Sequence, residues 1–358
     1  MEDTAMDKAQ LHSKQFQWRT FFTVAAFAAL LILVYSLRHQ IEDVYQDLGR
    51  INLWLLLLII PLKFLNFDAY ARLYRNLFAT LGNKLNYWSM YKIALELNFV
   101  NSILPSGGVS GVSYFSVRMR SEGVSAAKAT LAQVMKFLLL FISYQPMLVL
   151  GVLLLAARGQ ANNLVIMVAT SLITLLIVGT LIGIYIIESR QRINSFLTFI
   201  TRGLNWLIGL VRRGNPESIN IGRAQRVFNE LHEDYHIFKK NIRDLKWPLF
   251  HTTVANFTEI ATLYVVYLAF GQPINFGAVI LAYAVANFAG LLSVLPAGIG
   301  IYEGLMTGVL AATGVAARVS IPVTIMFRVL TMFLALPLGY YFYQKAVRAG
   351  LGKKPSQL

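Results

Sequence analysis

The chain has 358 residues, 56% apolar and only 14% charged, against about 25% charged in an ordinary soluble domain, so it lacks the polar residues to cover a water-facing surface. Lys and Arg number 32 against 17 Asp and Glu, a net charge of +15; in a membrane protein such an excess gathers in cytoplasmic loops and calls for no nucleic acid. Cysteine is absent, which excludes disulfides, thiolate zinc sites, iron–sulfur clusters and cysteine nucleophiles.

After a polar tail over 1–17, residues 18–37 are apolar and long enough to cross about 30 Å of hydrocarbon. No small-residue cleavage site follows, so they read as a retained anchor rather than a signal peptide. Further spans are expected over 51–70, 126–156, 164–187, 248–270 and 321–343. Two apolar stretches are interrupted instead. Residues 86–104 run into PSGGVSG and a short polar helix over 112–120, and residues 276–295 run into PAGIG and a short helix over 301–313. Such short helices cannot cross a bilayer, and the Gly/Pro tips, with Pro105 and Pro296 at their turns, predict re-entrant hairpins over about 86–120 and 276–313. The expected fold is an all-α integral membrane protein with about six transmembrane helices plus two oppositely inserted hairpins. Its polytopic domain covers 18–343, with a basic cytoplasmic loop over 189–247 and a cytoplasmic tail over 344–358.

Charge placement supports this layout. With both termini inside, 25 of the Lys and Arg residues fall in inner segments, four (Arg38, Arg50, Arg158 and Arg318) in outer ones, and Lys63, Lys136 and Arg328 within spans. That split is a strong positive-inside signal and places the protein in the cell membrane, N- and C-termini inside.

The two hairpins align without gaps at an offset of 191 residues. Ser102-Ile103-Leu104-Pro105-Ser106-Gly107 falls on Ser293-Val294-Leu295-Pro296-Ala297-Gly298, Gly123-Val124 on Gly314-Val315, and Met135 on Met326. Three spans separate the hairpins, an odd number, so they must enter from opposite faces. Inverted repeats with broken helices meeting near the midplane are an architecture of secondary transporters, although two small-residue tips packed together would also serve a purely structural end.

Ionisable groups inside a bilayer each need a reason. Lys136 lies about ten residues into its span and Arg328 about ten beyond Arg318, both near mid-depth at about 1.5 Å per residue. Together with the Gly107, Gly108, Gly298 and Gly300 tips, they suit a lipid phosphate. The alternative is that they pair with Glu96 and Glu259 as buried structural bridges. Glu303 sits in the first turn after the second tip, where capping competes with proton coupling as its role; Glu259 and Glu96 are the other coupling candidates. Lys63 is expected to snorkel, and Asn98, Asn101 and Asn287 to satisfy broken-helix backbone.

The 189–247 loop carries 11 Lys/Arg and 5 Asp/Glu, and apolar residues from Ile193 to Val211 recur at helical spacing. This reads as an interfacial helix drawn to anionic inner-leaflet lipid, or as a helix docked on the protein's own cytoplasmic face. His232-Glu233-Asp234-Tyr235-His236 matches HExxH, but its basic setting and the want of a third ligand other than the intramembrane Glu259 argue against a metal site. No phosphate-binding loop or cofactor motif is visible, so neither cofactor nor metal is expected.

The LPSGG tip followed by GVSAAKA, and the LPAGIGIYEG tip followed by GV and Met326-Phe327-Arg328, resemble the transmembrane-region family of lysylphosphatidylglycerol synthases, also described as a flippase-like domain. The resemblance runs over roughly residues 20–343 and implies a multi-pass protein that moves a charged or glycosylated lipid between leaflets. Full synthases carry a soluble aminoacyl-transfer domain after the membrane part, whereas this chain stops at Leu358, so lipid aminoacylation is not expected. The family's first tip often has an acidic residue soon after its glycines; Val109-Ser110-Gly111-Val112-Ser113 has none. The function expected is transbilayer movement of an anionic phospholipid or lipid-linked glycan intermediate, the alternative a membrane enzyme or subunit modifying a lipid headgroup. Enzymes of lipid or glycan biosynthesis are candidate partners.

Overall fold

Asparagine and serine caps open the helices of this chain, and glycines in the left-handed region close several of them. A computed structural model describes residues 51–103, 109–193, 195, 196, 198, 234–292, 298 and 300–351. The anchor expected at 18–37, Pro105, Gly107, Gly108, Pro296 and most of the basic loop lie outside the described residues. Among those described, all regular structure is helical.

A short turn, Leu53–Leu56, is capped by Asn52, whose Oδ1 accepts the Trp54 N–H at 3.1 Å. It leads into α1, Ile59–Thr80. Helix α2, Tyr87–Ile103, starts behind Asn86, which accepts the Trp88 N–H at 2.8 Å, and α3, Val109–Arg120, follows the first tip. Ser125 caps α4, Ala126–Ala156, and Asn162 caps α5, Asn163–Ile187. Beyond a 3-10 turn, Ile242–Leu245, come α6, Lys246–Ala269, and α7, Phe276–Leu292, the latter capped by Asn275. The second tip opens α8, Ile301–Ala312, and α9, Ala317–Arg348, completes the set.

Four stretches are long and apolar enough to cross a membrane: Leu53–Thr80, Ala126–Ala156, Asn163–Ile187 and Ala317–Arg348. All four fall where spans were expected, the first and last extending beyond the expected ends. The expected span over 248–270 forms a 24-residue helix, α6, but it is not among the four. Its polar residues are the reason, and protein covers them: Thr252, Asn256, Thr258 and Thr262 are all buried. The three threonine hydroxyls donate to main-chain carbonyls of their own helix, which removes the cost of burying them.

The repeat extends well beyond the hairpins. Shifted by 191 residues, α1, α2, α3 and α4 superpose in sequence on α6, α7, α8 and α9 to within a few residues at each end. Gly123 and Gly314, equivalent positions after the two short helices, both have positive φ, 78° and 92°, a conformation that only glycine adopts cheaply. Pro146 of α4 and Pro337 of α9 are also equivalent. Packing follows the same rule. Helix α2 packs on α9 and α7 on α4, while α1 and α6 make the most extensive contact between any two helices described.

Two large apolar clusters form the interior. One holds α2, α3, the first half of α4 and the end of α9; the other holds α7, α8, the first half of α9 and the end of α4. Helices α4 and α9 therefore run in opposite senses between the two clusters. Both crossings of hairpin on long helix are close. A Cβ on Gly277 would collide with the Gly151 carbonyl where α7 meets α4, and one on Gly339 would lie 2.7 Å from the Leu95 carbonyl where α9 meets α2.

Candidate functional site

Where the two halves meet, a cavity of about 320 Å³ opens between α1, α2, α4, α6, α7, α8 and α9. It collects most of the intramembrane ionisable groups. Lys63, Lys136, Glu259 and Arg328 all line it, so the two cations singled out in sequence share one space. Around them stand Tyr70, Tyr74, Tyr144, Tyr283 and Tyr302.

The ion pairs differ from the structural alternative drawn from the sequence. Glu259 does not pair with Lys136 or Arg328. Both its oxygens accept from Lys63 Nζ, each at 2.7 Å. Lys63 does not snorkel either: it is 9% exposed, because this carboxylate sits within its reach. Glu96, 2% exposed, binds Arg118 Nε at 2.9 Å and accepts the Tyr114 hydroxyl at 2.7 Å. It therefore ties α2 to α3 and does not enter the cavity lining. Arg328, 4% exposed, pairs with Glu303 and stacks over the Tyr302 ring, its guanidinium carbon 4.9 Å from the centroid.

Glu303 has two attachments. One oxygen meets Arg328 and the other accepts the Gly300 N–H at 2.6 Å. That second bond is half of a capping box; the other half is missing because glycine has no side chain to return it. Gly298 and Gly300 both have positive φ, 66° and 86°, so the turn into α8 is one that other residues would strain.

Lys136 is different. Among the described residues it makes no ion pair, and its ammonium lies among aromatic faces, 5.6 Å from the Tyr70 centroid, 6.0 Å from Tyr74 and 5.1 Å from Phe137. Such contacts are favourable for a cation but leave its hydrogen-bond donors unused. Asn98, Asn101 and Asn287 also line the cavity. They were expected to satisfy broken-helix backbone; instead their amides make no side-chain hydrogen bond among the described residues. Asn101 lies hard against Gly111, where a Cβ would overlap its carboxamide.

Sequence reasoning missed Lys63 as the partner of Glu259, Arg118 as the partner of Glu96, and the ring of tyrosines. The 191-residue offset contained one usable signal: Glu259 is the equivalent of Asp68, which holds Arg72 and the Tyr87 hydroxyl. An acid kept at that place in both halves points to a tie at the helix contact. Outside the apolar helices, Glu188 meets Lys239; hydrogen bond and charge hold its carboxyl below the usual range and raise the amine in return. Of the HExxH match, His232 and Glu233 lie outside the described residues. Among the described residues no cluster of three or more metal-ligating side chains occurs, and both oxygens of Glu259 are taken by Lys63.

Comparison with known proteins places this geometry in a family. The profile of the lysylphosphatidylglycerol synthase transmembrane region matches residues 21–339. A UPF0104 membrane protein of Pyrococcus horikoshii is 22% identical over 249 residues, covering 67% of this chain and 72% of its own. Two UPF0104 membrane proteins of Methanothermobacter thermautotrophicus are similar over shorter stretches. One is 34% identical over 84 residues, 24% of this chain and 25% of the relative, and the other 24% identical over 140 residues, 37% and 40%. The chain thus spans a quarter of the first of these relatives and two fifths of the second. The match covers most of the residues from first expected span to last, and the chain belongs to the lysylphosphatidylglycerol synthase transmembrane-region family, a multi-pass membrane domain of lipid-handling proteins.

Proposed function

We propose that the protein moves an anionic phospholipid or lipid-linked glycan intermediate across the bilayer by alternating access around this cavity. The observation that carries the reading is the unpaired Lys136 beside Arg328 in a polar cavity built by both halves of the repeat. A phosphate entering there meets one cation with its donors unused and a guanidinium suited to bidentate contact. The opposed courses of α4 and α9 support hairpins inserted from opposite faces, with tips at Gly107 and Gly298 closing on the ligand from either side. Excess positive charge in the expected inner segments supports termini in the cytoplasm.

The test is reconstitution. Purified protein in vesicles of neutral lipid, with a trace of fluorescent anionic lipid, is expected to make the inner-leaflet pool accessible to a membrane-impermeant quencher. The Lys136→Gln protein should do so more slowly. Accessibility no greater than in protein-free vesicles would overturn the proposal. Mass spectrometry of the same lipids should show them chemically unchanged; a modified headgroup would favour an enzyme.

A further inference from the structure

We propose that the headgroup accepted by the cavity is a hydroxyl-rich phosphodiester with one net negative charge and no amine. This rests on the transport reading above and narrows its substrate. The first ground is charge. Lys63 is neutralised by Glu259 and Arg328 by Glu303, which leaves Lys136 as the one cation at the cavity without a carboxylate among the described residues. The eleven undescribed residues of the two tips, 104–108, 293–297 and 299, include no ionisable side chain. One positive charge is left over.

In surroundings this apolar, a ligand is favoured when it cancels that charge and disfavoured when it overshoots. A phosphodiester carries one negative charge and cancels it. A phosphomonoester carries about 1.5 to 2 negative charges at neutral pH, so it leaves a surplus anion or has to draw one of the two carboxylates off its cation. An aminoacylated phosphodiester fails in the opposite direction, because its ammonium groups would face Lys136.

The second ground is hydrogen bonding. Asn98, Asn101 and Asn287 present carboxamides to the cavity with no side-chain partner among the described residues, whereas the neighbouring Asn66 and Asn256 are engaged with Thr258 and Ser143. Each free amide offers two N–H donors and a carbonyl acceptor. A hydroxyl both donates and accepts, so it can satisfy either end. A glycerol, inositol or sugar supplies several within one headgroup; a choline supplies none.

The experiment titrates purified protein in neutral detergent with lipids of equal chain length and follows its thermal unfolding. Phosphatidylinositol and phosphatidylglycerol should stabilise at concentrations about tenfold or more below those needed for phosphatidylcholine, phosphatidic acid or lysyl-phosphatidylglycerol, the worth of one charge-assisted contact. Lys136→Gln should abolish the preference for anionic lipid. Asn98→Ala, at a side chain with no partner to lose, should fold normally and lose the preference for phosphatidylinositol over a diester with a methyl headgroup. Soluble glycerophosphoinositol separates lipid from free headgroup: binding as tight as the lipid's would overturn the assignment to a lipid. Equal or tighter binding of phosphatidic acid or lysyl-phosphatidylglycerol would overturn the charge class while leaving lipid transport standing. No anionic lipid binding above phosphatidylcholine would overturn both.

Discussion

Glu259 of α6 grips Lys63 of α1 through both carboxylate oxygens, at 2.7 Å each, across the most extensive helix contact in the molecule. The pair holds the two halves of the repeat together at the cavity wall. Removing one partner strands a poorly solvated charge, which typically costs about 3 kcal/mol. Glu259→Gln and Lys63→Met should each lower the unfolding temperature in detergent, and the double replacement should recover much of the loss. If the double variant is as unstable as the sum of the singles, the pair contributes nothing as a pair.

Arg328 is expected to matter twice. Its guanidinium holds Glu303 and faces the cavity, so Arg328→Gln should reduce both thermal stability and lipid binding. Arg328→Lys keeps the charge but not the planar fork, and should regain stability more fully than binding. Equal recovery of the two would mean that Arg328 serves the fold alone.

The glycine crossings give a sharp contrast. At Gly277 and Gly339 a methyl group would be forced into backbone of the partner helix, so alanine at either should cost roughly 1–3 kcal/mol by overpacking. Gly304 of α8 has open space where a Cβ would stand. Alanine there should be neutral or stabilising by no more than about 1 kcal/mol, as expected for a helical glycine. Comparable losses at all three positions would show that close approach is not what the glycines provide.

Topology can be read with single cysteines, because the chain has none of its own. Arg120 and Ala311 are equivalent exposed positions near the ends of α3 and α8. Arg120→Cys should react with an impermeant maleimide from the cytoplasmic side and Ala311→Cys from the other. Reaction of both from one side would remove the inverted arrangement and the transport argument with it.

The positions of the helices were legible because each rule involved is local. Apolar length located α4 and α5, and the 191-residue echo located both hairpins. Partners were less legible, because they depend on which helices meet. Lys63 and Glu259 stand 196 residues apart and Arg118 and Glu96 only 22, yet neither pairing follows from spacing. Depth alone put Lys136 and Arg328 near one another, and there the sequence was right. It could not show that Arg328 already holds a carboxylate while Lys136 faces rings.

The exchange of packing partners has a consequence for how this chain is built. Helix α7 leans on α4 and α2 on α9, so each hairpin finds a closely fitted neighbour in the opposite copy of the repeat. Cut between the copies, neither piece could bury its own glycine seam. Each would present to lipid the backbone groove its counterpart fills. Two such pieces made as separate polypeptides are complementary in the manner of interlocked hands, and the connection through α5 merely guarantees that they meet one to one. The assembly unit is the pair.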